Sequence, residues 1–344
     1  MAVDKGWIWF PVLLSFFMNL QSLTTSIYVN LATRRESLSP TMRHHMPMVR
    51  SIADVSNLVY VDIILDDPLS HPIPWNSPTI ISIFRLPRIQ TIRMSVGTGN
   101  DAYDWPSDLL APTLTKLYFF HSNLYEDSLK CILASAPNLY DFTLNLVWYD
   151  EPTSNLAGGF LDCRKIGEAI TTSTCSATLG RVILDVKFED RHFNTPAKIE
   201  RDGKMGGPWE SGRSPYPGPT FQWGTKGTLG SIKSLRCLTL LMTDLNLQFG
   251  WSPKHARHPR DLLPESLRGL VLGTRLAECR EFAWKRDVIR EWLKEDISLG
   301  QLGALERLVV RQSDVQMEPD SVAKEAVFAS FCEEKGITFG IEAW

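Results

Sequence analysis

The sequence has little net charge, no long apolar run and no closely paired cysteines, and each absence argues against a class of protein. The formal charge of the 344 residues is -3 at pH 7, which gives no electrostatic reason to expect a nucleic-acid partner. The apolar run from Trp7 to Met18 is too short to span a membrane. The six cysteines are widely and irregularly spaced, which argues against a zinc site or a disulfide framework and predicts reduced, buried thiols.

Motifs of common catalytic and phosphate-binding sites are also missing. The sequence has no G-x-S-x-G nucleophile elbow, and Gly97-Thr98-Gly99 lacks the further glycine and the Lys-Ser/Thr of a phosphate loop. His255 and His258 lie in a basic stretch that opposes a cation, and no nearby cysteine or acid completes a tetrahedral site, which favours solvated loop histidines over a metal site. We therefore predict that the chain is not an enzyme, with no catalytic residue, no metal and no cofactor.

One complete structural unit is recognisable between Asn123 and Leu146. An acidic first turn followed by apolar residues at helical spacing predicts a helix, which Pro137 ends. The segment that follows has large apolar residues at the L-x-x-L-x-L spacing, which is typical of a leucine-rich-repeat strand. We call these three positions the first, second and third anchors, and here they are Leu139, Phe142 and Leu144.

Nine segments repeat this spacing in chain order, and together they predict a repeat array. We expect the anchors to point toward helices beneath a parallel sheet, and the residues between them to point onto its open face. In the seventh segment the predicted first and third anchors are Leu235 and Leu240. The predicted second anchors are Leu23, Val61, Ile92, Leu117, Phe142, Val182, Leu238, Leu270 and Leu308.

The fold class that follows is α/β: a leucine-rich-repeat-like curved solenoid with a parallel sheet and irregular helices and loops. We predict a single domain over residues 1–344. Between the strands, helices are expected at Cys163 to Thr171, Glu281 to Asp296 and Pro319 to Glu334. The last helix, ended by Gly336, and a strand after it are expected to form a C-terminal cap over residues 318–344.

Other stretches predict loops, at residues 65–78, 202–230 and 250–264. The loop at 202–230 is a Gly/Pro-rich insertion for which we expect no regular element, although it contains four aromatic residues. Three interpretations of it stay open: a lid over the array, a segment that orders on a partner, or a tolerated insertion.

The N-terminal apolar run has the composition of a signal-peptide core but lacks a small-residue cleavage pattern. The residues after it, from Asn19, instead resemble the repeat that begins at Asn138. We interpret the run as part of a buried first repeat, which predicts a cytoplasmic or nuclear protein with no membrane association.

The predicted open face is a mixture of polar, charged and aromatic residues, which suits protein recognition. A merely solvated sheet face is the alternative. The predicted partner-binding residues, which include two tryptophans of the long loop, are Tyr60, Asp62, Arg93, Lys116, Tyr118, Asp141, Asn145, Arg181, Asp185, Arg307, Arg311, Trp209 and Trp223.

The phrases Ala136-Pro137-Asn138-Leu139 and Leu235-Arg236-Cys237-Leu238-Thr239-Leu240, with the uneven loops, resemble the repeat region of fungal F-box and leucine-rich-repeat proteins. This resemblance implies a noncatalytic protein-interaction module whose repeats hold the substrate of a ubiquitin ligase. In that family an F-box docks on the Skp adaptor, but no F-box pattern is recognisable here, so Skp binding is not expected. The alternative function is an enzyme whose site is assembled from scattered loop residues without a local motif.

Overall fold

The structure, a computed structural model, is an α/β protein in which the paired strands run parallel. It divides into two compact units, unit 1 within residues 1–146 and 173–179, and unit 2 within residues 147–172 and 180–344. The residues that the structure describes are 22–27, 57–65, 73–97, 99, 102–122, 124, 126–149, 160–189, 224–226, 228–249, 257–273, 286–312 and 319–343.

Unit 1 is built on a parallel sheet in which consecutive long strands are neighbours. The strands are β1 (Ser22–Ile27), β2 (Tyr60–Leu65), β3 (Ile73–Pro74), β4 (Thr91–Met94), β5 (Val96–Gly97), β6 (Lys116–Ser122) and β7 (Asp141–Tyr149). The main sheet has the order β1-β2-β4-β6-β7, and β3 pairs with β5 separately. The helices are α1 (Pro78–Phe84) and α2 (Glu126–Ala134), with a short 3-10 helix at Thr174–Ala177.

Unit 2 repeats this plan with longer connections. Its strands are β8 (Phe160–Asp162), β9 (Arg181–Glu189), β10 (Gly224–Lys226), β11 (Leu240–Asp244), β12 (Gly269–Gly273), β13 (Arg307–Gln312) and β14 (Thr338–Ala343). The main sheet has the order β9-β11-β12-β13-β14, and β10 pairs with β8. The helices are α3 (Cys163–Thr171), α4 (Leu245–Phe249), α5 (Pro259–Leu262), α6 (Arg286–Ser298) and α7 (Pro319–Glu334), with a 3-10 helix at Gly230–Ser234.

The register of unit 1 confirms the predicted alignment of its second anchors. On β1, Leu23 pairs with Val61 of β2, as the repeat predicts. A one-residue slip would move every anchor to the open face, so burial of the anchors holds the register. From β2 to β7 the second anchors lie side by side, each at most 1% exposed: Val61, Ile92, Leu117 and Phe142.

A four-residue turn leads into several of the strands. In each turn the backbone N–H of the first anchor donates to the carbonyl three residues earlier, as from Leu139 to Ala136 at 3.2 Å. Proline at the second turn position favours this geometry because its ring presets φ. The turns of this kind in unit 1 are Leu86-Pro87-Arg88-Ile89, Ala111-Pro112-Thr113-Leu114 and Ala136-Pro137-Asn138-Leu139.

The third residue of the turn joins one repeat to the repeat before it. The Asn138 side-chain amide donates to the Pro112 carbonyl at 2.8 Å, and the Thr178 hydroxyl donates to the Pro137 carbonyl at 3.2 Å. Thr113 makes the equivalent contact to Pro87 at 3.4 Å. These bonds satisfy turn carbonyls that the strands leave unpaired.

The predicted register of the seventh segment is wrong by three residues. Leu241, and not Leu238, is the second anchor, because Leu241 pairs with Leu270 and is fully buried. Leu240, the predicted third anchor, is only half-buried and lies between anchors. Leu238 is the first anchor, and Thr243 takes the third position opposite Leu272.

The error has a local cause. Leu235 lies three residues before the first anchor, the place that Ala136 takes in unit 1. An apolar residue at this position completes the L-x-x-L-x-L spacing three residues too early, whereas the observed frame has Thr243 at its third anchor, and strand pairing reveals the difference.

Two of the predicted helices have the predicted bounds, Cys163–Thr171 and Pro319–Glu334, and the third is observed at Arg286–Ser298. Gly336 ends the last helix with a φ of 73°, which glycine adopts without strain. The inward face of this helix is not wholly apolar. Glu325 is buried there and forms an ion pair with Arg290 at 3.5 Å, whereas Val327 is 62% exposed.

The predicted loops contain elements that periodicity could not detect. Helix α1 begins at the end of the 65–78 loop, where Ser77 caps it and proline occupies its first position. Helix α5 lies within 250–264, and strand β10 within 202–230, which contradicts the expectation of no regular element there. Each element is too short for a periodic pattern.

Several predictions fall outside the described residues. They are the buried N-terminal run, His255, and the aromatic residues of the long loop, whose three interpretations stay open. The single domain over 1–344 with its insertion and its cap likewise stays a prediction. No helix among the described residues is both long enough and apolar enough to cross a membrane.

The cysteines are only partly buried, which corrects the expectation of buried thiols. Among the described cysteines, Cys163, Cys175 and Cys332 are buried, Cys131 and Cys237 are exposed, and all five are free thiols. Burial raises the pKa of the Cys332 thiol to about 11 and also raises the pKa of Cys175.

The corrected register predicts a difference between two adjacent leucines. Leu241→Ala should lower the free energy of unfolding by about 2–5 kcal/mol, because the substitution opens a cavity in a packed core. Leu240→Ala removes a half-buried side chain and should cost clearly less. Urea denaturation of the two variants measures the free energy of unfolding. A larger decrease for Leu240→Ala than for Leu241→Ala would support the alignment of the seventh segment that the sequence predicted.

Thiol labelling tests the burial of the cysteines. At pH 8, Cys131 and Cys237 should react rapidly with a thiol reagent, and Cys175 and Cys332 only on unfolding, as peptide mapping will show. Because folding raises the pKa of Cys332 above its ordinary value of 9.0, the free energy of unfolding should fall as the pH rises from about 9 toward 11. This fall should be smaller in Cys332→Ala, and an equal fall would contradict the assignment.

Candidate functional site

The residues between the anchors of unit 1 share one face of its sheet. Successive side chains of a strand alternate between faces, so these residues lie opposite the buried anchors. We call this surface the unit 1 open face. Its described side chains are Tyr60, Asp62, Thr91, Arg93, Lys116, Tyr118, Phe120, Asp141, Thr143 and Asn145.

Arg93 lies at the centre of a hydrogen-bonded cluster on this face. Its Nη1 donates to the Tyr60 hydroxyl at 3.1 Å and contacts Asp62 Oδ2 at 3.1 Å. The Tyr60 hydroxyl in turn donates to Asp62 Oδ2 at 2.8 Å. The guanidinium carbon lies 5.1 Å from the centroid of the Phe120 ring, which is cation–π geometry. We call these four residues the Arg93 cluster.

The surroundings of Arg93 keep it charged. Its hydrogen bond to Tyr60 and the nearby negative charge of Asp62 raise the pKa of Arg93 above its ordinary value, against the opposing effect of partial burial. The side chain is 36% exposed. Arg93 therefore presents a permanent positive charge at the surface, in an orientation that three neighbours determine.

A second tyrosine–carboxylate pair lies beside this cluster. The Tyr118 hydroxyl donates to Asp141 Oδ2 at 2.8 Å, and the Tyr118 and Phe120 rings stack at 6.3 Å. The two carboxylates of the face, Asp62 and Asp141, are only 6% and 5% exposed. They therefore support the tyrosines and Arg93 from below and offer little surface to a partner.

The strand register explains these contacts. Arg93 pairs with Asp62 on one side and with Tyr118 on the other, so all three lie in one row across the sheet. Lys116 lies in the next row, paired with Asp141, and is exposed. Asn145 is half-buried further along the same strand as Asp141.

The open face of unit 2 also has paired arginines. Arg307 Nη2 donates to Glu342 Oε1 at 3.1 Å, and Arg311 Nε donates to Glu342 Oε2 at 3.0 Å. Arg311 also reaches Met242 Sδ at 3.5 Å across strand β12. The residue paired with Arg311 on β12 is Gly273, which leaves room for this crossing.

The remaining predicted contact residues are dispersed. Arg181 and Asp185 are half-buried on strand β9. Trp209 and Trp223 lie outside the described residues. The sequence interpretation missed Phe120, Met242 and Glu342, although counting two residues on from Tyr118 would have found Phe120.

His258 is not a solvated loop histidine, as the sequence had suggested. Its ring stacks on Trp292 at 4.7 Å, and its Nδ1 lies 3.7 Å from Asp296 Oδ1. That distance is too long for a hydrogen bond. Both oxygens of Asp296 already accept from Arg260, from its backbone N–H at 2.9 Å and from Nη1 at 3.0 Å.

This cluster connects helices α5 and α6. Asp296 is fully buried, and it caps the first turn of α5 through the backbone N–H of Arg260. A hydrogen bond to Glu295, together with the charge of Asp296, raises the pKa of Arg260. Through its two hydrogen bonds with Arg260, the Asp296 carboxylate holds the first turn of α5 against α6.

Comparisons with known proteins assign no family. No protein-family model matches the sequence, and no curated protein shows a significant match. Within the described ranges, no group of three or more His, Cys, Asp or Glu side chains is placed to hold a metal ion. The functional proposal therefore depends on the geometry of the open faces.

Removal of one hydroxyl tests the buried tyrosine–carboxylate pair. Tyr118→Phe leaves Asp141 without one of its donors and should lower the free energy of unfolding by about 1–3 kcal/mol. Tyr140→Phe is the matched control, because Tyr140 directly precedes Asp141 in the chain and is 52% exposed. Urea denaturation compares the two variants, and equal midpoints would contradict the pair's contribution to stability.

Proposed function

We propose that the chain is a noncatalytic protein-interaction module and that the sheet of each unit belongs to a leucine-rich-repeat-like curved solenoid. The repeated turns, the buried anchors and the parallel strands in chain order support this architecture. Repeat arrays of this kind expose an extended sheet face, and such faces commonly bind proteins.

The Arg93 cluster is the observation that carries the proposal. Arginine and tyrosine are enriched among residues that dominate binding energy at interfaces. Here Arg93 is held by Tyr60, Asp62 and Phe120 before any partner arrives. Binding by a side chain that is already ordered loses less conformational entropy, which favours affinity.

The resemblance to the repeat region of fungal F-box proteins extends the proposal to a substrate-holding role. In the absence of an F-box pattern, we propose that this chain does not bind the Skp adaptor. A cytoplasmic or nuclear location is part of the same proposal. The open face of unit 1 is its binding surface.

Affinity capture with paired charge-reversal variants tests the proposal. Lys116→Glu alters the unit 1 open face, and Lys130→Glu makes the same change on the exposed side of helix α2. We expect at least one protein that binds the wild type and Lys130→Glu but is lost from Lys116→Glu. The candidate is then purified and titrated directly against all three chains.

Neither lysine has a hydrogen-bond or ion-pair partner among the described residues, so Lys130→Glu should melt as the wild type does, and Lys116→Glu, which places a carboxylate opposite Asp141, should melt only slightly lower. If every captured protein binds Lys116→Glu as well as the wild type, the open face of unit 1 is not the binding surface and the proposal fails.

A further inference from the structure

We infer that the unit 1 open face binds an extended acidic segment of a partner protein, with Arg93 and Lys116 as the two residues that contact its carboxylates. This inference rests on the proposed function and names the chemistry of the partner. It depends on which charges of this face are buried and which are exposed.

The two carboxylates of the unit 1 open face are buried. Asp62 accepts a hydrogen bond from Tyr60 and forms an ion pair with Arg93, and Asp141 accepts a hydrogen bond from Tyr118. Both carboxylates are at least nine-tenths buried. A cationic ligand would therefore find no accessible carboxylate among the described side chains of this face.

Arg93 keeps hydrogen-bond donors available for a ligand. Its contacts to Tyr60 and Asp62 are made through Nη1 alone. In the described part of the chain, Nε and Nη2 make no hydrogen bond. A planar guanidinium with free donors on a partly exposed side chain matches the two oxygens of a carboxylate.

Lys116 supplies the second positive charge. It is exposed and has no hydrogen-bond or ion-pair partner within the described ranges. Lys116 pairs with Thr91, two residues before Arg93 on the neighbouring strand, so it is the diagonal neighbour of Arg93. The spacing of strands and residues in a sheet places their Cα atoms about 8 Å apart.

This separation fits an extended peptide. Alternate side chains of an extended segment lie on the same side, about 6.6–7 Å apart. Two acidic residues with one residue between them can therefore contact Arg93 and Lys116 together. Phe120 and Tyr118, beside Arg93, offer apolar surface to the residues that flank them.

Unit 2 provides an internal comparison. Its arginines Arg307 and Arg311 share the Glu342 carboxylate, which is 38% exposed and would repel an acidic ligand there. No described carboxylate forms an ion pair with Lys116 in unit 1.

An acidic protein segment is also favoured over nucleic acid, because tight binding of a phosphate backbone requires many cations and the chain has a net charge of -3.

Fluorescence anisotropy with a labelled peptide of alternating glutamate and serine tests the inference on the full chain. The wild type should bind this peptide, with an affinity that weakens as salt is added. Lys116→Glu should weaken binding about tenfold or more, which corresponds to about 1.4 kcal/mol. Arg93→Lys, which keeps the charge but loses the planar fork, should weaken binding less than Lys116→Glu does.

Matched controls separate the specific contact from general charge attraction. Lys130→Glu should bind the peptide as the wild type does, and a peptide with glutamine in place of glutamate should not bind. Equal weakening by Lys130→Glu, equal binding of the glutamine peptide, or tighter binding of oligouridine RNA would each overturn the inference. Tighter binding of the same peptide with phosphoserine in place of glutamate would also overturn it, because it would identify a phosphorylated ligand.

The two proposals can fail separately. If the purified partner from affinity capture is lost on Lys116→Glu but the glutamate peptide does not bind the wild type, the interaction module stands and the acidic ligand is wrong. If no protein is captured through the face and the peptide does not bind, both proposals are wrong.

Discussion

A repeated backbone contact sets the strand register on which the rest of each unit depends. At the start of a strand, two consecutive N–H groups donate to one carbonyl of the preceding strand, as Tyr140 and Asp141 donate to Thr115 at 2.9 and 3.0 Å. Thr239 and Leu240 make the same contact to Gly180 in unit 2. Because side chains alternate along a strand, fixing one pair assigns every residue that follows to the core or to the open face.

The open face of unit 1 follows from that register. It places Arg93 between Asp62 and Tyr118 in one row, and the contacts of that row are made by residues far apart in sequence. The buried carboxylates are tolerated because they accept hydrogen bonds from tyrosine or arginine. The result is a surface whose exposed charges are positive, although the chain as a whole is weakly acidic.

The positively charged side chains of the two units have different surroundings. In unit 2 two arginines share one partly exposed carboxylate, Glu342, and the His258 cluster joins helices α5 and α6. In unit 1 one arginine retains free donors, and a nearby lysine is unpaired among the described residues. Composition is therefore a poor guide to which face binds, because the position of a single acidic residue decides whether the cations are available.

The sequence by itself determined the parallel strands, the second anchors of unit 1 and two helices with their bounds, because these follow from local periodicity and from turn and end signals at Pro137 and Gly336. Tertiary structure alone decided the frame of the seventh segment, where the spacing favours a start at Leu235 and the strand pairing places the first anchor at Leu238. It also decided the burial of Asp62, which depends on Tyr60 and on Arg93 in the next repeat. No periodic pattern encodes such pairings, because they depend on which strands become neighbours and at what register.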